Sequence, residues 1–193
     1  MKMKCQWLVS AAVALTALFC TSCTKELVVE EVLQIPVNGK LYTSYNLWYE
    51  KADHVNSINY LKGSILPFGT EVEITKATND EITFRTVADK KVFRIVFEQQ
   101  YRMQSVEDYI RDLFTSRDFK TLSEGISTVN VEKIRRGMID NGMTKQEVRL
   151  AYGPPCKYKT PDESLNTWLF WTELLVGKRI VFNNNKVTDI IVL

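Results

Sequence analysis

The hydrophobic residues of this chain change period near Gln104, and that change divides it into a β-rich half and a half that contains helices. Before Gln104, Val32, Leu33, Ile35 and Val37 alternate loosely up to an Asn38-Gly39 turn, and the aromatic run Leu41–Tyr49 follows. Pro67-Phe68-Gly69-Thr70, Thr78-Asn79-Asp80 and Asp89-Lys90 then punctuate three further alternating runs, Glu71–Thr75, Glu81–Val87 and Val92–Glu98. Short runs of this kind, closely spaced by Gly, Pro, Asn and Asp, argue for a small antiparallel barrel or sandwich.

After Gln104 the grammar is that of helix ends. Ser105-Val106-Glu107-Asp108 reads as a capping box, followed by Val106, Tyr109, Ile110, Leu113 and Phe114 at helical spacing. Asn130 can cap a second helix with Val131, Ile134 and Met138 on one face, ending near Asn141-Gly142. Thr144-Lys145-Gln146-Glu147 is a second capping box, and Gly153-Pro154-Pro155 stops its helix because Pro cannot continue the ladder. Leu165–Trp171, Arg179–Phe182 and Lys186–Val192 read as strands, the last two joined by Asn183-Asn184-Asn185. The expected class is α+β: a β-rich domain over 32–103 that suits an SH3-like barrel, a linking helix over 104–127, and a two-helix, three-strand layer over 128–193.

The N-terminus reads as a targeting segment over 1–22. Lys2 and Lys4 precede an apolar run, Trp7–Phe19, that is shorter than the about 20 residues a spanning helix needs. Cys20-Thr21-Ser22-Cys23 then resembles a bacterial lipobox, with Cys20 where Leu is usual. That resemblance implies cleavage before Cys23 and lipid attachment to its thiol. Two or more acyl chains anchor a protein stably where one would not. Residues 23–31 are expected to form a charged tether.

Charge and cysteines narrow the function. The chain carries 25 Lys and Arg against 23 Asp and Glu, and Lys2 and Lys4 leave with the signal, so the mature protein is balanced. It lacks the basic field that would hold nucleic acid. With Cys5 and Cys20 removed and Cys23 lipidated, only Cys156 remains, without a disulfide partner and far in sequence from the only histidine, His54. Cys156 is therefore read as a small half-buried hydrophobe. No phosphate loop, Gly-x-Ser-x-Gly or convergent metal-ligand set is visible, and neither catalytic residues nor a cofactor or metal is expected.

The aromatic cluster Tyr42, Tyr45, Trp48, Tyr49 and Tyr60 is the candidate binding surface, since Tyr and Trp bury large area at low entropic cost. Strict alternation would place Tyr45 and Tyr49 on one side and Tyr42 and Trp48 on the other, split between core and surface. Trp168, Phe170 and Trp171 likewise cannot all face one way.

Gly142-Met143-Thr144 through Val148, the Gly153-Pro154 stop, the Trp168 strand and the Arg179–Phe182 and Val187–Val192 strands resemble the SmpA/OmlA (BamE-like) family of outer-membrane lipoproteins over residues 128–193. The resemblance implies a lipid-anchored protein on the inner, periplasmic face of the outer membrane. It would act without catalysis, through protein–protein contacts in envelope or outer-membrane protein assembly. Its partners would be the membrane, through lipid, and envelope proteins. The inserted β-rich module departs from that family. Two other readings stand beside it: an SH3-like module that binds peptidoglycan or peptides, and an inhibitor of a periplasmic enzyme.

Overall fold

The computed structural model describes residues 25–98 and 103–193, so the targeting segment and Cys23 lie outside the described residues. The chain is α+β, with antiparallel sheets that curl around two hydrophobic cores. It runs α1 (Val29–Leu33), β1 (Leu41–Thr43), β2 (Leu47–Tyr49), β3 (Val55–Asn56), β4 (Ser64–Leu66), β5 (Glu71–Ala77), β6 (Glu81–Thr86) and β7 (Val92–Val96). Then come α2 (Val106–Leu113), β8 (Phe114–Thr115), α3 (Phe119–Leu122), α4 (Thr128–Arg135), α5 (Lys145–Tyr152), β9 (Thr167–Glu173), β10 (Val176–Asn183) and β11 (Lys186–Val192).

The first lobe is a six-stranded sheet in the order β3-β7-β6-β5-β1-β8, antiparallel except where β3 runs parallel to β7, with β2 and β4 as a separate ribbon. The β6 alternation is as clean in space as in sequence: Ile82, Phe84 and Thr86 are buried. Phe84 stacks on Phe93 at 5.2 Å and meets Phe114 edge-on at 5.3 Å. Each such ring contributes about 1.5–3 kcal/mol by leaving water. On the opposite face Glu81 accepts from Lys76 and Arg94, which hold its carboxyl below the usual range.

Three expectations change here. Val32–Val37 is not a strand. Residues 29–33 form a helical turn that closes at Gln34 in the left-handed region, with the Gln34 N–H on the Glu31 carbonyl. Residues 25–31 do not stand off as a tether, because Leu27 and Val29 are buried in the first core and Leu27 N–H bonds the Ala77 carbonyl. The 104–127 segment is more than a link: Val106, Tyr109, Ile110, Leu113 and Phe114 complete the first core, and β8 pairs with β1. Ser105 caps α2 as expected by accepting from the Asp108 N–H, while the Asp108 carboxylate turns to Arg111.

The second lobe follows the predicted order of helix, helix and three-stranded meander, β11-β10-β9. The Thr144–Glu147 capping box is complete, and the buried Glu147 also accepts from Asn130 Nδ2 at 2.6 Å, tying α5 to α4. Ser127, not Asn130, caps α4, which begins at Thr128, and accepts from the Asn130 N–H in its first turn. Met138 lies past the end of α4 and is exposed. The strand read at Arg179 begins earlier, at Val176.

The lobes are locked by one loop. Leu41–Tyr49 is not a continuous strand; it breaks at Ser44–Asn46, where the backbone leaves β5 and turns to α5. A helix leaves its last four carbonyls without intrahelical donors. In α5, the Arg149 carbonyl takes the Gly153 N–H, and the Leu150 carbonyl takes the Asn46 N–H at 2.9 Å. The Ala151 carbonyl takes Asn46 Nδ2 and Trp48 Nε1 at 3.2 and 3.1 Å, and the Tyr152 carbonyl takes Asn59 Nδ2 at 2.9 Å. Asn46 is fully buried, donates further to the Ile134 carbonyl and accepts from the Phe68 N–H. Gly153 caps this end at φ 80°, and a Cβ there would stand 2.8 Å from the Tyr45 ring.

Asn46→Ala orphans the Phe68 N–H in the interior and takes one of two donors from each of the Ile134 and Ala151 carbonyls, which keep the Gly137 N–H and Trp48 Nε1. It is expected to cost about 3 kcal/mol in urea unfolding, with both lobes melting in one transition. A loss below about 1 kcal/mol, or two separated transitions, would contradict the lock.

Candidate functional site

Of the five aromatics singled out from the sequence, the four within Leu41–Tyr49 do not share one surface. Tyr42 pairs with Glu71 and Thr115 inside the first sheet and is half-buried. Tyr45 is buried at 1% exposure, at the break in the strand. Trp48 packs edge-on against Tyr152 and lies so close to Gly137 that a Cβ there would come within 2.2 Å of its ring. Tyr49 meets Phe93 edge-on, and its hydroxyl accepts from Lys91 Nζ at 2.7 Å. Tyr45 and Tyr49 pack into the first core and Trp48 against the second. The alternation argument anticipated a split but not that the two sides would serve different lobes.

A cleft opens where the lobes meet, and Tyr45 is part of its wall. Ile58, Asn59, Phe97, Tyr109, Pro155, Cys156 and Trp171 also face it, and it encloses about 60 Å³. Alternation on β9 builds one side: Trp168 and Phe170 turn into the second core, and Trp171 turns away from it toward the cleft. Trp171 Nε1 donates to Cys156 Sγ at 3.0 Å, and Met103 Sδ lies 3.8 Å from that sulfur. Cys156 is buried and free, and His54 is elsewhere, 4.0 Å from Glu98.

Two phenols at the cleft are wholly removed from water. The Tyr109 hydroxyl is buried beside the Tyr45 phenol, which acts on its ionisation as a hydrogen-bonding neighbour. Burial pushes Tyr45 and Tyr109 well above the usual tyrosine range, so both stay protonated at any physiological pH. Below the cleft, Asp112 accepts from Arg149 and Lys157, both at 3.3 Å, and Arg149 also bonds Glu163 at 3.0 Å. Among the described residues no group of three or more His, Cys, Asp or Glu could hold a metal ion.

A second feature lies at the far end of the C-terminal sheet. The β9–β10 turn presents Leu174 and Leu175, 64% and 85% exposed, with Leu175 at φ 64°. Ile190, Ile191, Val192 and Leu193 are exposed beside it. The Leu193 N–H bonds the Gly177 carbonyl, so by antiparallel alternation the backbone groups of Ile190 and Val192 point away from β10 to an open edge. The other end of β11 is covered, because Val187 pairs with Gly142 and Met143. Nothing in the sequence marked this end as exposed, since an apolar Leu-Leu turn carries no turn signal.

Burial also raises Tyr152, to about 12. Tyrosines whose folded values lie above the ordinary one of about 10 stabilise the fold fully below that pH and lose the contribution as pH rises through the folded values. Stability is therefore expected to fall from about pH 10 upward. Tyr45, Tyr109 and Tyr152 should titrate at 295 nm only as circular dichroism reports unfolding; titration of all tyrosines in the folded state near pH 10 would contradict their burial.

No family model, curated protein or solved structure matches this chain.

Proposed function

We propose that the protein is a lipid-anchored lipoprotein of the outer membrane, facing the periplasm. It acts without catalysis, through protein–protein contacts in envelope or outer-membrane protein assembly. The observation that carries the contact half of this reading is the apolar open end of the C-terminal sheet. Leu174, Leu175, Ile190, Ile191, Val192 and Leu193 stand exposed around a stretch of β11 that pairs on only one side among the described residues. Contiguous exposed apolar surface on a folded protein marks contact sites, and an open edge can accept an extended segment of a partner as an added strand.

The anchoring half rests on the Lys2/Lys4, Trp7–Phe19 and Cys20–Cys23 pattern. The likeness of 128–193 to the SmpA/OmlA family supports both halves. The features that carry it are the Thr144–Glu147 capping box, the Gly153-Pro154 stop and the helix, helix, meander order. For the first lobe the curled antiparallel sheet supports a small-barrel reading. The parallel pairing of β3 with β7 and the added β8 distinguish it from a plain SH3-like barrel.

Metabolic palmitate labelling tests the anchor. The wild-type chain should label and fractionate with membranes, and Cys23→Ala should do neither; label that persists in Cys23→Ala would move the lipid to Cys20, and an unlabelled wild type would overturn the reading. For the contact surface, Leu175→Asp with Ile191→Asp should leave the melting temperature nearly unchanged, as exposed substitutions do. The same double variant should lose the envelope proteins that crosslink to the wild type in cells. Unchanged crosslinking would remove this face as the docking site.

A further inference from the structure

The chain is pinned to the first lobe from Lys25 onward. Lys25 N–H donates to Asn79 Oδ1 at 3.2 Å, and the Lys25 carbonyl takes the Asn79 N–H at 3.1 Å. Glu26 bridges Thr78, Leu27 N–H bonds the Ala77 carbonyl at 2.9 Å, and Leu27 and Val29 are buried in the first core. Residues 25–27 therefore run along the end of β5 and its turn into β6. Thr24 alone separates Lys25 from Cys23, and two Cα–Cα steps of 3.8 Å hold those residues within about 7 Å of each other.

That reach is short against a membrane. The polar layer of one leaflet, half the difference between a hydrocarbon core of about 30 Å and a bilayer of about 40–45 Å, is about 5–8 Å thick. Acyl chains on Cys23 lie in the hydrocarbon and hold the cysteine at its polar border. Lys25 and Asn79 then stay among or directly above the headgroups, whereas a free tether over all of 23–31 would reach about 30 Å and let the lobe swing. We infer that this end of the first lobe, the β5–β6 turn with Lys25 and the exposed Val28, docks on a surface of lipid headgroups. The inference rests on the lipid anchor proposed above and states what that anchor does to the folded body. Charge does not supply the contact. Lys25, Lys76 and Arg94 at this end are matched by Glu26, Asp80 and Glu81, the last bonded by both Lys76 and Arg94. Attraction to anionic lipid needs a surplus of Lys and Arg, so the short leash is what holds the lobe down. The clamp loop leaves β1 at the other end of β5, where the Thr43 N–H bonds the Thr70 carbonyl. The seven residues of β5 put it about 20 Å from the docked turn.

Fluorescence quenching from the bilayer surface tests the contact. The lipidated full chain carries Cys156→Ala, so that one new thiol takes the fluorophore. It is purified from membranes and placed in vesicles of phosphatidylethanolamine and phosphatidylglycerol that bear a headgroup nitroxide. A fluorophore at Val28→Cys should lose most of its emission, and one at Ala88→Cys, exposed in the turn at the far end of β6, should lose little. About twelve Gly and Ser residues inserted between Thr24 and Lys25 give a flexible span of about 20 Å. The insert should keep palmitate incorporation and restore the emission at Val28→Cys. Full emission at Val28→Cys without the insert, equal loss at both positions, or quenching that persists with the insert would overturn the inference. Palmitate incorporation, measured on the same samples, separates the two ways to fail. A palmitoylated chain with an unquenched Val28→Cys is anchored but stands off the bilayer; a chain without palmitate lacks the anchor, and the docked surface falls with it.

Discussion

The C-terminus of α5 is the point on which the molecule turns. A helix end inside a protein leaves carbonyls that must find donors, and here the donors come from the other lobe: the backbone and side chain of Asn46, the indole of Trp48 and the amide of Asn59. Asn46 is the centre of this clamp, because its amide also reaches α4 at the Ile134 carbonyl and its oxygen holds the Phe68 N–H. Each bond is worth little net, but breaking one side leaves a buried group unpaired, and that asymmetry makes the arrangement all-or-none.

The clamp also fixes what surrounds it. Asn59 and Tyr45 belong to the clamp loop or its contacts, and both face the interlobe cleft, so the cleft is as rigid as the junction that forms it. The charged group below, Asp112 with Arg149 and Lys157, adds contacts between α2, α5 and the segment after it, but these side chains are partly exposed and add little in water. The open end of the C-terminal sheet lies apart from all of this.

What could be read from the sequence was local. The Thr144–Glu147 box spans three residues and Gly153-Pro154 stops a helix by itself, so both were legible and both hold. The Asn184-Asn185 turn was legible because Asn tolerates the left-handed region, where both residues sit at φ 47° and 64°. The clamp was not. Asn46 is 88 and 105 residues from the carbonyls it serves, and an Asn between aromatics in an alternating run reads as one more strand residue. The short α1 was misread as alternation because its five residues are too few to show a helical period. In the cleft, the aromatic run supplies Tyr45 to the wall, while Tyr109 was indistinguishable from the other core positions of its amphipathic helix.

Native-state hydrogen exchange tests the union of the lobes most directly. The Asn46 N–H and Phe68 N–H lie at the clamp, on the Leu150 carbonyl and on the Asn46 side chain. If the clamp makes one cooperative unit, both amides exchange only by global unfolding, with the same free energy as core amides of β6 and β10. Exchange of either amide through a local opening, while the two cores stay protected, would show lobes that separate without unfolding and would contradict the account.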